Sequence, residues 1–108
     1  MTPRRGEIWW VRLDPAMGSE IGKTRLCLVV GANVVNQRRR TVAVVPLSSS
    51  PLASPPLLVP LDCAGQPAVA VVDQIRAVSK QRLHRHMGTI SSQHLEAVEN
   101  ALRQILEL

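Results

Sequence analysis

The densest set of chemistry-bearing side chains lies between Gly18 and Arg25, in the stretch GSEIGKTR. Two glycines, the Glu20 carboxylate, the Ser19 hydroxyl and the Lys23 and Arg25 cations share eight residues. Its GKT ending raises the chemistry of a nucleotide-binding P-loop, in which four residues between two glycines let successive backbone N–H groups curl around a phosphate. Counting back from Gly22, that first glycine would have to stand at Met17, and Gly18 comes one residue too late. A nucleotide loop is excluded on spacing. Two other groups invite chemistry. Cys27 and Cys63 are too far apart for a CxxC pair and have apolar neighbours, so neither a metal site nor a disulfide framework is expected. His84-Arg85-His86 offers a histidine pair, but alternate residues on a strand end share a face without framing a scissile phosphate.

The chain that must position these residues is short. Its 108 residues, 45% hydrophobic, suffice for one domain over 1–108 with a real core. Thirteen Lys and Arg against eight Asp and Glu give a net charge of +5, which suits a polyanionic partner such as nucleic acid. The N-terminus MTPRRGEIWW lacks the long apolar stretch of a signal peptide, and no run of about 18 apolar residues marks a membrane span. A cytoplasmic protein without membrane contact is expected. There is no Phe or Tyr, and Trp9 and Trp10 are the only aromatics. Folds that stack several bases on sheet aromatics, such as RRM and OB domains, are therefore poorly supported.

Short apolar runs bounded by turn residues predict a mainly β chain. Glu7 to Leu13 reads as a first strand, with Trp9 and Trp10 on opposite faces. After a loop from Asp14 to Thr24, the near-continuous apolar run from Arg25 to Gly31 reads as a buried second strand with Arg25 at its start. Asn33 to Arg40 is a polar connection with room for one helical turn, and the exposed Arg38-Arg39-Arg40 run fits a solvated turn. Thr41 to Leu47 predicts a third strand, and Ser48 to Pro56 a loop. Leu57 to Leu61 and Ala68 to Val72 predict two more strands around an Asp62 to Pro67 turn. Gln74 to Val78 is compatible with strand or helix, Ser79 to Leu83 with a helical turn, and Met87 to Ile90 with a last strand. Ser91 or Ser92 caps a closing helix in which Leu95, Val98, Leu102 and Ile105 recur at three- and four-residue steps. The pattern predicts a small, strongly curved β-barrel with helical additions.

The blocks RGEIWWVRLDPAMGSEIGKTR, VVPLSS, VVDQIRAVSKQRL and MGTIS, followed by the amphipathic helix, occur in an order and spacing that resembles the MazF/PemK family of toxin endoribonucleases. The resemblance covers nearly the whole chain. It implies a compact SH3-like β-barrel of the MazF/PemK and CcdB type with a C-terminal helix, usually a homodimer. Arg25 matches the family's catalytic arginine, Ser48 its catalytic Thr or Ser, and Glu20 the glutamate of its GSE motif. Ser19, Gln74 and Arg82 match positions that hold substrate, and Arg5, just before the first strand, is placed to reach the same groove. The sequence departs from the family pattern at Leu26, where Pro is usual, and at Ser48, where Thr is commoner.

The implied activity is sequence-specific cleavage of single-stranded RNA, leaving 2′,3′-cyclic phosphate and 5′-OH ends, with no cofactor and no metal. The RNA 2′-OH is the nucleophile. A guanidinium and a hydroxyl would stabilise the negative charge that gathers on the non-bridging phosphate oxygens. Arg stays protonated in protein settings, so Glu20 is chemically the easier general base. The implied partner is a small MazE-like antitoxin with an acidic and apolar tail. The related CcdB branch shares the barrel and poisons DNA gyrase by binding, so a non-catalytic module is the alternative. The set Glu20, Arg25 and Ser48 distinguishes them, because a gyrase binder has no need of it.

Overall fold

The computed structural model describes residues 2–49 and 52–108. Seven strands among these residues run β1 Glu7–Arg12, β2 Thr24–Val29, β3 Thr41–Ser48, β4 Leu58–Cys63, β5 Gln66–Val71, β6 Arg76–Ser79 and β7 Leu83–Thr89. Helix α1, Asn33–Arg38, links β2 to β3, and α2, Ser92–Leu106, follows β7. All pairings are antiparallel, in the order β4-β5-β3-β2-β1-β7, with β6 added to β3. The sheet coils into the expected barrel-like form as a half-barrel carrying a C-terminal helix.

The unbroken apolar run of β2 has a direct cause: both faces of this strand are buried. Leu28 joins Ile8, Val45, Leu47 and Val98 in one core cluster, while Cys27 and Val29 join Trp9, Val11 and Val44 in a second. Period-2 alternation thus distributes one strand between two cores. The same rule separates Trp9, which is buried in the second cluster, from Trp10, which is half-buried on the other face. Helix α2 packs against the first core through buried Val98 and Ala101, with Leu95, Leu102 and Ile105 partly covered. Its cap is Ser91, whose Oγ accepts the His94 backbone N–H at 3.1 Å.

Three elements differ from the sequence reading. Ser48 is the last residue of β3 rather than the first of a loop, because its backbone pairs with Val69 on β5. The β4–β5 hairpin is longer than expected, reaching Cys63 opposite Gln66, and turns through Ala64 and Gly65 with φ of 50° and 81°. Positive φ at both central residues is what a two-residue hairpin turn requires to match strand twist. Strand β7 begins four residues earlier than Met87, at Leu83. It lies at one end of the strand order, so His84, Arg85 and His86 stay exposed and leave no apolar pattern to read.

Arg5 ties the segment before β1 to the rest of the molecule. Its guanidinium donates to the Val30 carbonyl and to Glu99 Oε2 on α2, and its backbone N–H donates to Asn33 Oδ1 at 2.8 Å.

Leu28 and Ser91 test the two levels of this organisation. Leu28→Ala, at a fully buried position of the first core, should lower unfolding free energy by about 2–5 kcal/mol. Ser91→Ala should cost about 1 kcal/mol, the worth of one helix cap. Urea unfolding followed by tryptophan fluorescence measures both. Losses of equal size would contradict the placement of the core.

Candidate active site

The site follows from what happens to β3 along its length. Thr41 to Val44 pair with β6, Val44 to Pro46 with β2, and Leu47 and Ser48 with β5. The β2 ladder stops at Cys27 opposite Pro46. Continuing that register by two residues on each strand would set Arg25 opposite Ser48. The strands have parted by then. A cleft of about 420 Å³ occupies the opening, with Arg25 and Leu26 from β2 and Leu47, Ser48 and Ser49 from the end of β3 on its walls. Trp10 and Met87 line it from the β1–β7 side, and Cys63, Gln66 and Pro67 from the β4–β5 hairpin.

The loop before Arg25 is braced at several points. Asp14 Oδ1 accepts the Lys23 N–H at 2.8 Å, and Leu13 N–H donates to the Lys23 carbonyl at 2.7 Å. Gly22 is needed for this closure, since a Cβ there would lie 2.5 Å from Asp14 Oδ1 and 2.9 Å from Ala16 Cβ. Gly18, at φ 58°, opens a turn in which Glu20 N–H donates to the Met17 carbonyl and Glu20 Oε1 accepts the Met17 N–H at 2.7 Å. The two glycines of GSEIGKTR therefore serve a loop that closes on itself, and each for a different steric reason.

Arg25 and Ser48 are thus brought to one cleft. Glu20 and Ser19 are exposed on the loop outside its lining, and Glu20 uses one oxygen to hold the turn. Gln74 lies behind the loop, accepting the Ile21 N–H through Oε1 at 3.4 Å. Arg82 donates to the carbonyls of Arg12, at 3.0 Å, and Asp14. Arg5 is engaged by Val30 and Glu99. These last three side chains brace backbone and do not line the cleft. Trp10, Gln66, Cys63 and Met87 were not singled out from sequence as cleft residues. For Trp10 the alternation with Trp9 was an available signal; for the hairpin residues there was none, because only long-range pairing brings them there.

The remaining groups with chemical potential lie elsewhere or are silenced. His86 stacks on Trp9 with ring centroids 5.3 Å apart, and Glu7 bridges them, accepting from Trp9 Nε1 at 3.1 Å and lying 3.5 Å from His86 Nε2. Burial pushes the Cys27 thiol up to about 12, partly opposed by the nearby Arg76 cation, and burial also raises Cys63. Neither thiol is a neutral-pH nucleophile. Among the described residues, no group of three or more His, Cys, Asp or Glu side chains converges.

Against this geometry, comparison with known proteins is decisive. The sequence model for PemK-like, MazF-like toxins of type II toxin–antitoxin systems matches residues 4–106. The chain belongs to this family. It is 37% identical over 119 residues to endoribonuclease MazF9 of Mycobacterium tuberculosis, with 97% of each chain covered. The fold is that of MazF from Deinococcus radiodurans, with a TM-score of 0.89, 23% identity and coverage of 100% of this chain and 99% of that one. A structure of a mycobacterial endoribonuclease in complex with its cognate antitoxin is also similar, with a TM-score of 0.82, 21% identity and coverage of 98% and 96%. Within this MazF-like chain, the region that carries the family's GSE and arginine motif is the braced loop and the first residues of β2.

The brace makes a specific prediction. Asp14→Ala removes the acceptor for Lys23 N–H, an interaction worth about 1 kcal/mol. Amide exchange at Lys23 and Leu13 should accelerate about fivefold, with α2 amides unchanged. Gly22→Ala should be tolerated better in the Asp14→Ala background than alone, since the closer of its two clashes is with that carboxylate. Additive effects would refute the steric account.

Proposed function

We propose that this MazF-like chain is the toxin of a type II toxin–antitoxin pair and acts as a sequence-specific endoribonuclease on single-stranded RNA. The observation that carries the reading is the cleft with Arg25 and Ser48 on its walls. The named relatives are endoribonucleases, which favours cleavage over the gyrase-binding alternative.

The scissile phosphate sits between Arg25 and Ser48. The adjacent 2′-OH attacks phosphorus, the bond to the 5′ oxygen breaks, that oxygen takes a proton from water, and the products carry a 2′,3′-cyclic phosphate and a 5′-OH. Negative charge grows on the non-bridging oxygens as the new bond forms. The Arg25 guanidinium offers planar paired donors to those oxygens, and the Ser48 hydroxyl adds a third. Charge stabilisation then comes from a fixed cation rather than a metal ion. Trp10, half-buried in the same cleft, gives one flanking base a surface to stack on.

The 2′-OH proton passes to Glu20. Its carboxylate is exposed on the loop that leads into Arg25, so a swing of the Met17–Glu20 turn, releasing Met17 N–H, carries it over bound RNA. Ser19, at the tip of that turn, contacts the substrate directly. Gln74 and Arg82 contribute by holding the loop backbone against the RNA, and Arg5 by fixing the segment that precedes β1.

A chain of charge +5 suits both an RNA substrate and an antitoxin with an acidic tail. One similar structure pairs an endoribonuclease with its cognate antitoxin, which supports a MazE-like partner here. We assign a homodimer as the working form and the cytoplasm as its compartment; no helix of the described residues is long and apolar enough to cross a membrane.

The reading predicts discrete cuts in a long defined RNA in excess EDTA, with cyclic-phosphate ends. Arg25→Ala and Ser48→Ala should each reduce the rate by about 10²–10³-fold, the usual cost of one lost donor to a developing oxyanion. Intact RNA, or cuts abolished by EDTA, would overturn the proposed chemistry.

A further inference from the structure

A second cavity, of about 590 Å³, adjoins the cleft. The two share Ser49, Pro67 and Ala68, so the end of β3 and the start of β5 form a ridge between them. Beyond the ridge, one wall is the first turns of α2, through Gln93, His94 and Ala97, and the other is β4, through Leu61 and Asp62. The backbone N–H of His94 is held by Ser91 Oγ, so Gln93 and His94 project from a capped and rigid turn.

The chemistry of this cavity is unlike that of the cleft. Arg25 gives the cleft a positive charge suited to phosphate. Among the described residues the lining of the second cavity holds no Lys or Arg and one carboxylate, Asp62, which repels phosphate and acidic peptide alike. It combines apolar surface from Leu61, Pro67 and Ala97 with Asp62 as an acceptor, Gln93 as donor and acceptor, and the His94 ring. That is the set needed for an unstacked base: an apolar bed for its face and polar groups for its edge.

We propose that this cavity is a base-reading subsite for a nucleotide flanking the scissile bond, reached by RNA that crosses the Ser49–Pro67–Ala68 ridge. The proposal rests on the endoribonuclease reading above and adds to it where part of the sequence specificity resides. Asp62 selects a base that presents an exocyclic amino group, so cytosine, with its N4 donor, is preferred to uracil, which presents an acceptor at the same edge. Gln93 and His94 fix the orientation of the base in the cavity.

The test uses the full-length protein and oligonucleotides that carry one cleavable bond, with each flanking position changed in turn between cytosine and uracil. The wild type should show one flanking position at which cytosine is preferred by about tenfold in kcat/KM. Asp62→Asn should abolish that preference, and Gln93→Ala with His94→Ala should lower affinity for the longer substrates only. Cleavage of a minimal substrate that ends before this position should be unchanged in both variants. Both Asp62 and Gln93 are exposed, so these changes spare the core. Absence of any flanking cytosine preference, or equal losses on short and long substrates, would overturn the subsite while leaving the cleavage reading intact. A second arm measures equilibrium binding of the same oligonucleotides to the Arg25→Ala variant by fluorescence anisotropy. If the wild type cuts no RNA but binding keeps an Asp62-dependent cytosine preference, the subsite stands and the cleavage reading falls. If neither is seen, both fall.

Discussion

The structure depends on how one strand divides its backbone among three partners. β3 meets β6 first, then β2, then β5. A strand inside a sheet has a neighbour on each edge: β6 and then β5 take one edge of β3, and β2 takes the other only from Val44 to Pro46. Beyond Pro46 the β2 ladder ends, while on the other edge of β3 Leu47 and Ser48 pair with β5. The cleft is the geometric result. Had β3 continued along β2, Arg25 and Ser48 would be ladder neighbours with no room between them for a phosphate. The opening is thus produced by backbone pairing, and side chains only furnish it.

An opening at the end of a sheet is normally where a structure loosens, and here the loop before β2 is unusually well tied. Asp14 closes its base, Arg82 holds the carbonyls beyond it, and Gln74 catches it at Ile21. Each of these contacts is worth little alone in a half-exposed setting. Together they limit the backbone freedom of the residues that deliver Arg25. Arginine has a long and mobile side chain, so fixing its Cα reduces the ordering cost paid when it pairs with substrate. The polar residues of this loop are therefore divided between those that face outward and those that hold it from behind.

That division explains which parts of the site were legible. Strand β2 and the α2 stripe could be read because burial imposes a period on their residues: both faces for β2, one face for α2. Arg25 could be placed at the start of β2 from the apolar run that follows it, whereas Ser48 reads as the first residue of a loop and is the last of β3. The direction in which Arg5, Gln74 and Arg82 point could not. A guanidinium that binds phosphate and one that binds backbone carbonyls look the same in sequence, because both need only an acceptor with negative charge. Nor could the hairpin wall be read. Cys63, Gln66 and Pro67 reach the cleft only because β5 pairs with the end of β3, and such long-range pairing leaves no local signature. Strand β7 was shortened in the reading because an exposed edge has no burial pattern to impose.

The same alternation bears on the proton in the proposed reaction. Trp9 and Trp10 are adjacent and must face opposite sides of β1. Trp10 faces the cleft, while Trp9 is buried in the second core and stacks with His86. His86 is thereby committed to the other side of the sheet, where its Nε2 is also 3.0 Å from the Gly88 carbonyl. His86 is therefore not available to this cleft as a base. The two cysteine thiols are held protonated by burial, and Arg25 has no acceptor to offer. The proposed reaction assigns that role to Glu20, on a segment tied less firmly than Arg25. The Met17–Glu20 turn is such a segment: it carries an exposed carboxylate, lies outside the Asp14–Lys23 tie, and is held by two local hydrogen bonds that bound RNA can replace. On this reading the rigid part of GSEIGKTR holds the cation still, and its flexible part brings the base.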